Sequence, residues 1–225
     1  MIKVLTWFKR RGDLSVEQFL AHWQGPHAEL AKELPGLRRY VQNPVHPSSY
    51  ARGREPRFDG VAETWFDDAE ATRMVGSSAA YAAILEDELR FMDVPPRHVV
   101  LTTERTMVEG EPSGPDVVKQ FSIVKRRPDL SVEAFRDYWW DVHGRLALGL
   151  PGLVRYVQCV TTDGIYRSGA EPEADGVTVV WFDSFDAMRA TPRTPQLQAI
   201  IDDQPAFLAS SGLYSMVATE RPIPL

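Results

Sequence analysis

The sequence predicts an α+β protein built from two copies of one βαββαβ unit, packed sheet to sheet within a single chain. Three observations lead there. A constant offset of 116 residues aligns residues 1–109 with 117–225 without a gap, and about 40 of the pairs are identical. Within each copy the apolar residues change period in the order strand, helix, strand, strand, helix, strand. Between the copies "VEGEPSGPD", Val108 to Asp116, has the Gly, Pro and Ser content of a linker. The expected organisation is therefore one repeat over 1–109, a linker over 110–116 and a second repeat over 117–225.

The first strand of each copy, Ile2 to Lys9 and Val118 to Lys125, is rich in β-branched and aromatic residues. Asp13 or Ser15 can cap the helix that follows. Val16, Phe19, Leu20, Trp23, His27, Leu30, Ala31 and Leu34 then fall on one helical stripe, matched by Val132, Phe135, Trp139, His143, Leu146, Ala147 and Leu150. That spacing turns His27 and His143 inward. "LPG" ends the helix in both copies, and the second strand, Leu37 to Gln42 in the first, starts at once. Gly25-Pro26 should break the first helix just before His27, whereas Asp141-Val142 lets the second run on. The third strands, "DGVAETWF" and "DGVTVVWF", suit cover on both faces, the second being apolar on each. A second helix, Asp68 to Phe91 and Phe185 to Phe207, covers one face, and a final strand, His98 to Glu104 and Tyr214 to Glu220, completes a four-stranded sheet. Such a ferredoxin-like unit carries its helices on one side, so the expected cover for the other is the same face of the second copy.

Composition narrows the function. The chain is 44% hydrophobic and 25% charged, an ordinary globular mixture. Its formal charge of −6 and the absence of a clustered basic face argue against nucleic acid; the "KRR" runs at Lys9 and Lys125 read as solvated turns. Cys159 is the only cysteine, so no intramolecular disulfide can form, which fits a reducing, cytoplasmic location. The N-terminus turns charged by Lys9, too soon for a signal segment, and no apolar run approaches the ~18 residues of a membrane span. The partner expected is a small-molecule substrate, with no nucleic acid and no membrane; a homo-oligomer stays open.

The stretches "DLSVEQFLAHWQGPHAELAKELPGLRRYVQ" and "DLSVEAFRDYWWDVHGRLALGLPGLVRYVQ" resemble the signature of the EthD family, a branch of the dimeric α/β-barrel superfamily. Both halves match, so the resemblance covers most of the chain. It implies a pocket between each sheet and its helices. Related proteins include cofactor-free isomerases, polyketide cyclases, dehydratases and decarboxylases, while others of similar fold bind haem or act as monooxygenases. In the resembling isomerases and cyclases a histidine in this helix motif and a tyrosine on the following strand are the usual catalytic pair. Residue by residue, that implies His27 with Tyr40 and His143 with Tyr156.

Spacing agrees with the pairing. His27 stands about eight residues before the turn, roughly 12 Å of helix, and Tyr40 about four after it, roughly 13 Å of strand. If Tyr40 faces the helices, alternation brings Gln42 to the same side. An imidazole can take and return a proton near neutral pH, and a phenol can donate to a developing enolate oxygen. Trp23, Gln42, Trp65 and Phe91, with Trp139, Gln158, Trp181 and Phe207, are the expected substrate-binding residues. Bland readings stand beside these: a core histidine bonded to backbone, a packed strand tyrosine, aromatics that only fill the core.

Other chemistries lack their residues. The sequence has no HExxH, CxxC, phosphate loop or nucleophile elbow. His22, His46 and His98 align with Tyr138, Thr162 and Tyr214 and so are not repeated, leaving too few ligands for a metal. Asp59/Asp175 and Glu104/Glu220 are repeated acids that read as a turn before a strand and a strand-end charge. The expectation is a lyase, isomerase or cyclase with no cofactor, acting on a small, partly apolar aromatic, lactone or polyketide-like molecule. A haem protein or monooxygenase, betrayed by a Soret band, and a non-catalytic carrier are the competing readings. Cutting the chain within Glu109 to Asp116 should leave the halves associated on gel filtration, because each presents an apolar sheet face to a tethered partner; two folded monomers that separate freely would contradict the sheet-to-sheet expectation.

Overall fold

The computed structural model describes residues 1–94, 97–113, 116–191 and 194–225. Gly114 and Pro115 of the expected linker, and Pro192 and Arg193 of the expected second-copy helix, lie outside the described residues. In chain order the first copy holds β1 (Ile2–Phe8), α1 (Val16–Gln24), α2 (Pro26–Lys32), β2 (Leu37–Pro44), β3 (Gly60–Phe66), α3 (Ala69–Gly76), α4 (Ala79–Glu88) and β4 (His98–Val108). The second holds β5 (Val118–Arg126), α5 (Val132–Tyr138), α6 (Gly144–Leu146), β6 (Leu153–Thr161), α7 (Asp163–Arg167), β7 (Gly176–Phe182), α8 (Phe185–Ala190), α9 (Pro195–Asp203), β8 (Leu208–Thr219) and β9 (Arg221–Ile223).

These elements form two compact units that differ from the sequence repeats at their ends. One unit is Met1–Leu101 with Glu220–Leu225; the other is Thr102–Thr219. In the first, β3 lies antiparallel between β1 and β2, with Thr6 opposite Ala62 and Gln42 opposite Ala62, and β9 adds to the outside of β2 with Pro222 opposite Val41. In the second, β5 and β6 flank β7, β8 adds to β5, and the stretch Thr102–Val108 of β4 adds to β6 with Thr106 opposite Val157. The two additions are equivalent under the 116-residue offset. Each unit is therefore completed by the tail that follows the other copy's last strand in the repeat alignment.

Local chemistry explains the boundaries. Ser15, rather than Asp13, caps α1: its hydroxyl accepts from Gln18 N at 3.2 Å and Gln18 Oε1 accepts from Ser15 N at 2.9 Å. Asp13 instead pairs with Arg11. Each expected long second helix is two helices, because a hydroxyl starts a new one partway along. Ser78 accepts from Tyr81 N at the head of α4, and Thr194 accepts from Leu197 N at the head of α9 with Pro195 in the first turn. The "KRR" runs do more than face solvent. Buried Asp59 accepts from Arg10 N and Arg10 Nη1 and from the Tyr50 hydroxyl, and Asp175 repeats this with Arg126 and Tyr166. A buried carboxylate needs that many donors, and here they tie the end of the first strand to the start of the third.

Trp23 and Trp139 fill the core over the third strands so closely that the strands begin with glycine. A Cβ on Gly60 would lie 2.7 Å from the Trp23 ring, and one on Gly176 would collide with the Trp139 ring. Both indoles are fully buried and cannot swing away. Gly60→Ala and Gly176→Ala should each lower unfolding free energy by about 1–3 kcal/mol in urea titrations, the usual cost of overpacking a filled core.

Candidate functional site

The first site begins at a break in a helix. Gly25 takes φ −106 and ψ −102, outside the helical range, and a Cβ there would lie 2.8 Å from Ala21 O. Pro26 then starts α2 one residue before His27. The break opens the Trp23 carbonyl to a side chain, and Gln42 Nε2 donates to it at 2.7 Å. The same nitrogen donates to the Tyr40 hydroxyl at 2.8 Å. A carbonyl can only accept, so the Gln42 amide has one orientation; the Tyr40 oxygen is thereby an acceptor, and its own proton is left to donate elsewhere.

The second copy reaches the same result by another route. Its helix does run on past Asp141-Val142, but through a π-helical turn, Trp139–His143, in which Gly144 N donates to Trp139 O. Gln158 Nε2 also donates to Trp139 O, at 2.9 Å, and to the Tyr156 hydroxyl at 2.8 Å. Two unlike backbone irregularities thus present one carbonyl to one glutamine.

Each histidine is held by an aspartate that the motif reading did not single out. His27 Nδ1 lies 3.0 Å from Asp87 Oδ2, and His143 Nδ1 lies 2.7 Å from Asp203 Oδ2. Asp87 and Asp203 are themselves an identical pair at offset 116, so the repeat alignment carried the signal. His22 and Tyr138, unlike in sequence, do the same work: His22 Nε2 is 3.0 Å from Asp87 Oδ1, and the Tyr138 hydroxyl donates to Asp203 Oδ1 at 2.6 Å. With Nδ1–H donated to the carboxylate, Nε2 is the atom left for a ligand.

A cavity of about 190 Å³ adjoins His27 and Tyr40, with Trp23 and Ile84 on its helix side and Thr6, Ala62 and Thr64 on its sheet side. A larger one, about 470 Å³, adjoins His143 and Tyr156, with Trp139, Phe207 and Ile200 above and Ser122, Thr178 and Val180 below. Gln42 and Gln158 lie fully buried behind the tyrosines, as supports rather than lining. Phe91 backs the His27 ring at 4.7 Å, and Phe207 backs His143 at 4.5 Å. Trp65 and Trp181 line neither cavity. Alternation sends them to the opposite sheet face, since Ala62, Thr64 and Phe66 point to the first cavity, and Lys3 and Arg39 stack on Trp65 there.

Burial sets the protonation states. It pushes both imidazoles below their ordinary value of 6.5, with the aspartates pulling the other way. It raises the Tyr40 phenol to about 12 and Tyr156 upward as well, although each amide donor opposes the shift. Neutral imidazole and neutral phenol therefore meet the cavity together, a base beside a hydrogen-bond donor. Among the described residues no group of three or more His, Cys, Asp and Glu side chains is placed to hold a metal ion. Nor is any described helix long and apolar enough to cross a membrane.

The fold and paired sites define a class: a two-repeat α+β protein with one helix-to-sheet pocket per repeat. Its fold is that of an anthrone oxidase-like protein, matched over 98% of this chain and 92% of the other with TM-score 0.69 at 14% identity. It is likewise that of the chlorite dismutase from Candidatus Nitrospira defluvii, matched over 97% and 90% with TM-score 0.54 at 13% identity. No curated protein matches the sequence significantly. The EthD domain model matches twice, over residues 11–95 and 127–211, and the chain belongs to the EthD domain family. Both matches contain the histidine, tyrosine, glutamine and aspartate of their site.

The histidine shifts carry a sign for stability. A pKa lowered by folding means that the unfolded chain binds protons first as pH falls, so unfolding free energy rises with pH through this window. The contribution is intact above the ordinary value of 6.5 and is lost below it. Between about pH 7 and about pH 5.5 the melting temperature should fall, and fall less in a His27→Gln/His143→Gln variant than in the parent.

Proposed function

We propose that each repeat carries a proton-transfer site that works without a cofactor. His27 Nε2, or His143 Nε2, removes a proton from a carbon next to a carbonyl, and the Tyr40 or Tyr156 hydroxyl donates a hydrogen bond to the oxygen on which charge collects. Return of the proton at another carbon is an isomerisation; departure of a β-oxygen substituent is an elimination or cyclising dehydration. The observation that carries this reading is the duplicated aspartate–histidine pair, Asp87–His27 and Asp203–His143. It fixes the tautomer and aims one basic nitrogen away from the carboxylate. Aspartate also stabilises the imidazolium that forms during the transfer. The largely apolar lining suits a small, partly apolar aromatic, lactone or polyketide-like molecule, and the single cysteine, Cys159, fits a reducing, cytoplasmic setting.

Haem ligation competes for the same atoms, because an imidazole held at Nδ1 by a carboxylate is equally ready to offer Nε2 to iron. The first cavity does not fit that group: its volume of about 190 Å³ is below the ~300 Å³ at which sites for drug-sized ligands begin. The anthrone oxidase-like protein and the chlorite dismutase lend their fold to this chain at 14% and 13% identity, and nothing of their chemistry.

His27→Gln and His143→Gln, compared at matched folded concentration on a substrate found among aromatic and lactone compounds, should separate acid–base work from packing. The variant at the working site should lose about 10²- to 10⁴-fold in turnover while melting within a few degrees of the parent at pH above the histidine titrations. The unlike backbones at Gly25 and Trp139–His143 and the unlike cavity volumes lead us to expect one histidine to dominate. Full turnover in the double variant would return both histidines to the core.

A further inference from the structure

The two pockets share their chemistry and differ in their walls. Across the sheet of the second unit, Ser215 on β8 faces Ser122 on β5, Ser122 faces Thr178 on β7, and Thr178 faces Gln158 on β6. Ser215, Ser122 and Thr178 all line the cavity. The two serine hydroxyls lie 2.8 Å apart, so one donates to the other and the pair keeps one proton to give outward. Thr178 stands beside the Tyr156 hydroxyl. The sheet side of the pocket is thus a row of hydroxyls running from the phenol out to the solvent-exposed Ser215, and the exposed Arg189 of α8 joins the lining from the helix side.

In the first unit the equivalent row is Val99, Thr6, Ala62 and Gln42, with a single hydroxyl. Polarity sits on the opposite wall instead. Arg97 donates to buried Glu88 at 2.7 Å and to the Tyr81 hydroxyl at 2.7 Å, and all three line that cavity. The offset puts Gln204, Leu213 and Leu197 in their places. An ion pair is costly to bury and discriminates against ligands that do not meet it, whereas a hydroxyl row accepts neutral oxygens.

We propose that the duplication has produced two pockets with different ligands, and that the pocket of the second repeat takes an uncharged flat molecule bearing two oxygens in 1,3 relation on one ring. Neighbouring strands are spaced about 4.8 Å, close to the separation of two such oxygens, so one can meet Tyr156 and Thr178 while the other meets Ser122 and Ser215. The cavity volume, about 470 Å³, admits a fused bicyclic or tricyclic ring system. The placing of the first oxygen at Tyr156 rests on the proton-transfer reading; the choice of ligand is tested by binding alone.

The probes are 1,3-dihydroxynaphthalene and its 2,6-isomer, equal in size and hydroxyl count, titrated calorimetrically into the full chain near pH 7. The 1,3-isomer should fill one site per chain about tenfold more tightly than the 2,6-isomer, the worth of two modest hydrogen bonds. A Ser122→Ala/Ser215→Ala variant, checked for an unchanged melting temperature, should bring the isomers within about twofold, and Thr6→Ala in the other pocket should not. Equal affinities in the parent, two equivalent sites, no binding of either isomer, or a preference that survives the double serine variant would each overturn the proposal. Isomer preference retained beside histidine variants that turn over normally would overturn the proton-transfer reading and leave the ligand assignment standing.

Discussion

A helix carbonyl without its ordinary partner sets the geometry of both sites. Trp23 O is exposed by the break at Gly25, and Trp139 O is widened out by the π turn; each is claimed by a buried glutamine from the second strand. In the first copy a buried carbonyl left unpaired would cost about 1–3 kcal/mol, which holds the Gln42 amide in place; in the second, Trp139 O accepts from both Gly144 N and Gln158 Nε2. Each amide's remaining proton fixes the tyrosine as acceptor and leaves the phenol proton free to donate. His27, two residues past the break, and His143, the last residue of the π turn, meet Asp87 and Asp203 near the C-terminal ends of α4 and α9. Helix one, strand two and the second pair of helices are thereby tied together at polar contacts, in a region otherwise packed with Phe, Trp and Leu.

Electrostatics bias that junction toward one set of protonation states. An imidazole taken from water loses the means to stabilise its charge, and an adjacent carboxylate restores part of it. The balance leaves the ring neutral and its pKa below the ordinary value, while the adjacent aspartate offsets part of the cost of the charge that proton uptake would create. The phenols move the other way, deeper into the neutral form. Base and donor are kept in complementary states by the same burial, so no separate device is needed for each.

Duplication has treated the parts of the molecule unequally. Tryptophan, histidine, tyrosine, glutamine and aspartate are identical at offset 116, as are the Asp59/Asp175 staples and the glycines beneath the indoles. These are positions where a change breaks a buried bond or collides with a ring. The walls answer to weaker constraints, because a residue facing a cavity can change polarity without leaving a buried group unpaired. Val99 against Ser215 and Ala62 against Thr178 are such exchanges.

The sequence by itself determined the α+β class, the two repeats, the helix break before His27 and the inward aim of both histidines, because periodicity and Gly-Pro chemistry act over a few residues. It also put Tyr40 and Gln42 on one strand face, since alternation of two is rigid. Only the tertiary structure decided the rest. Asp87 and Asp203 meet their histidines from 60 residues away, a distance across which no local pattern speaks. Tyr138 replaces His22 in the same task because a phenol and an imidazole can both bond a carboxylate, an equivalence visible only in space. Trp65 and Trp181 went to the far sheet face by an alternation that was readable, but only once the pocket-facing residues of their strand were known. The exchange of strand tails between units was hidden for the same reason: hydrogen bonding at a sheet edge is satisfied by whichever strand the whole fold brings there.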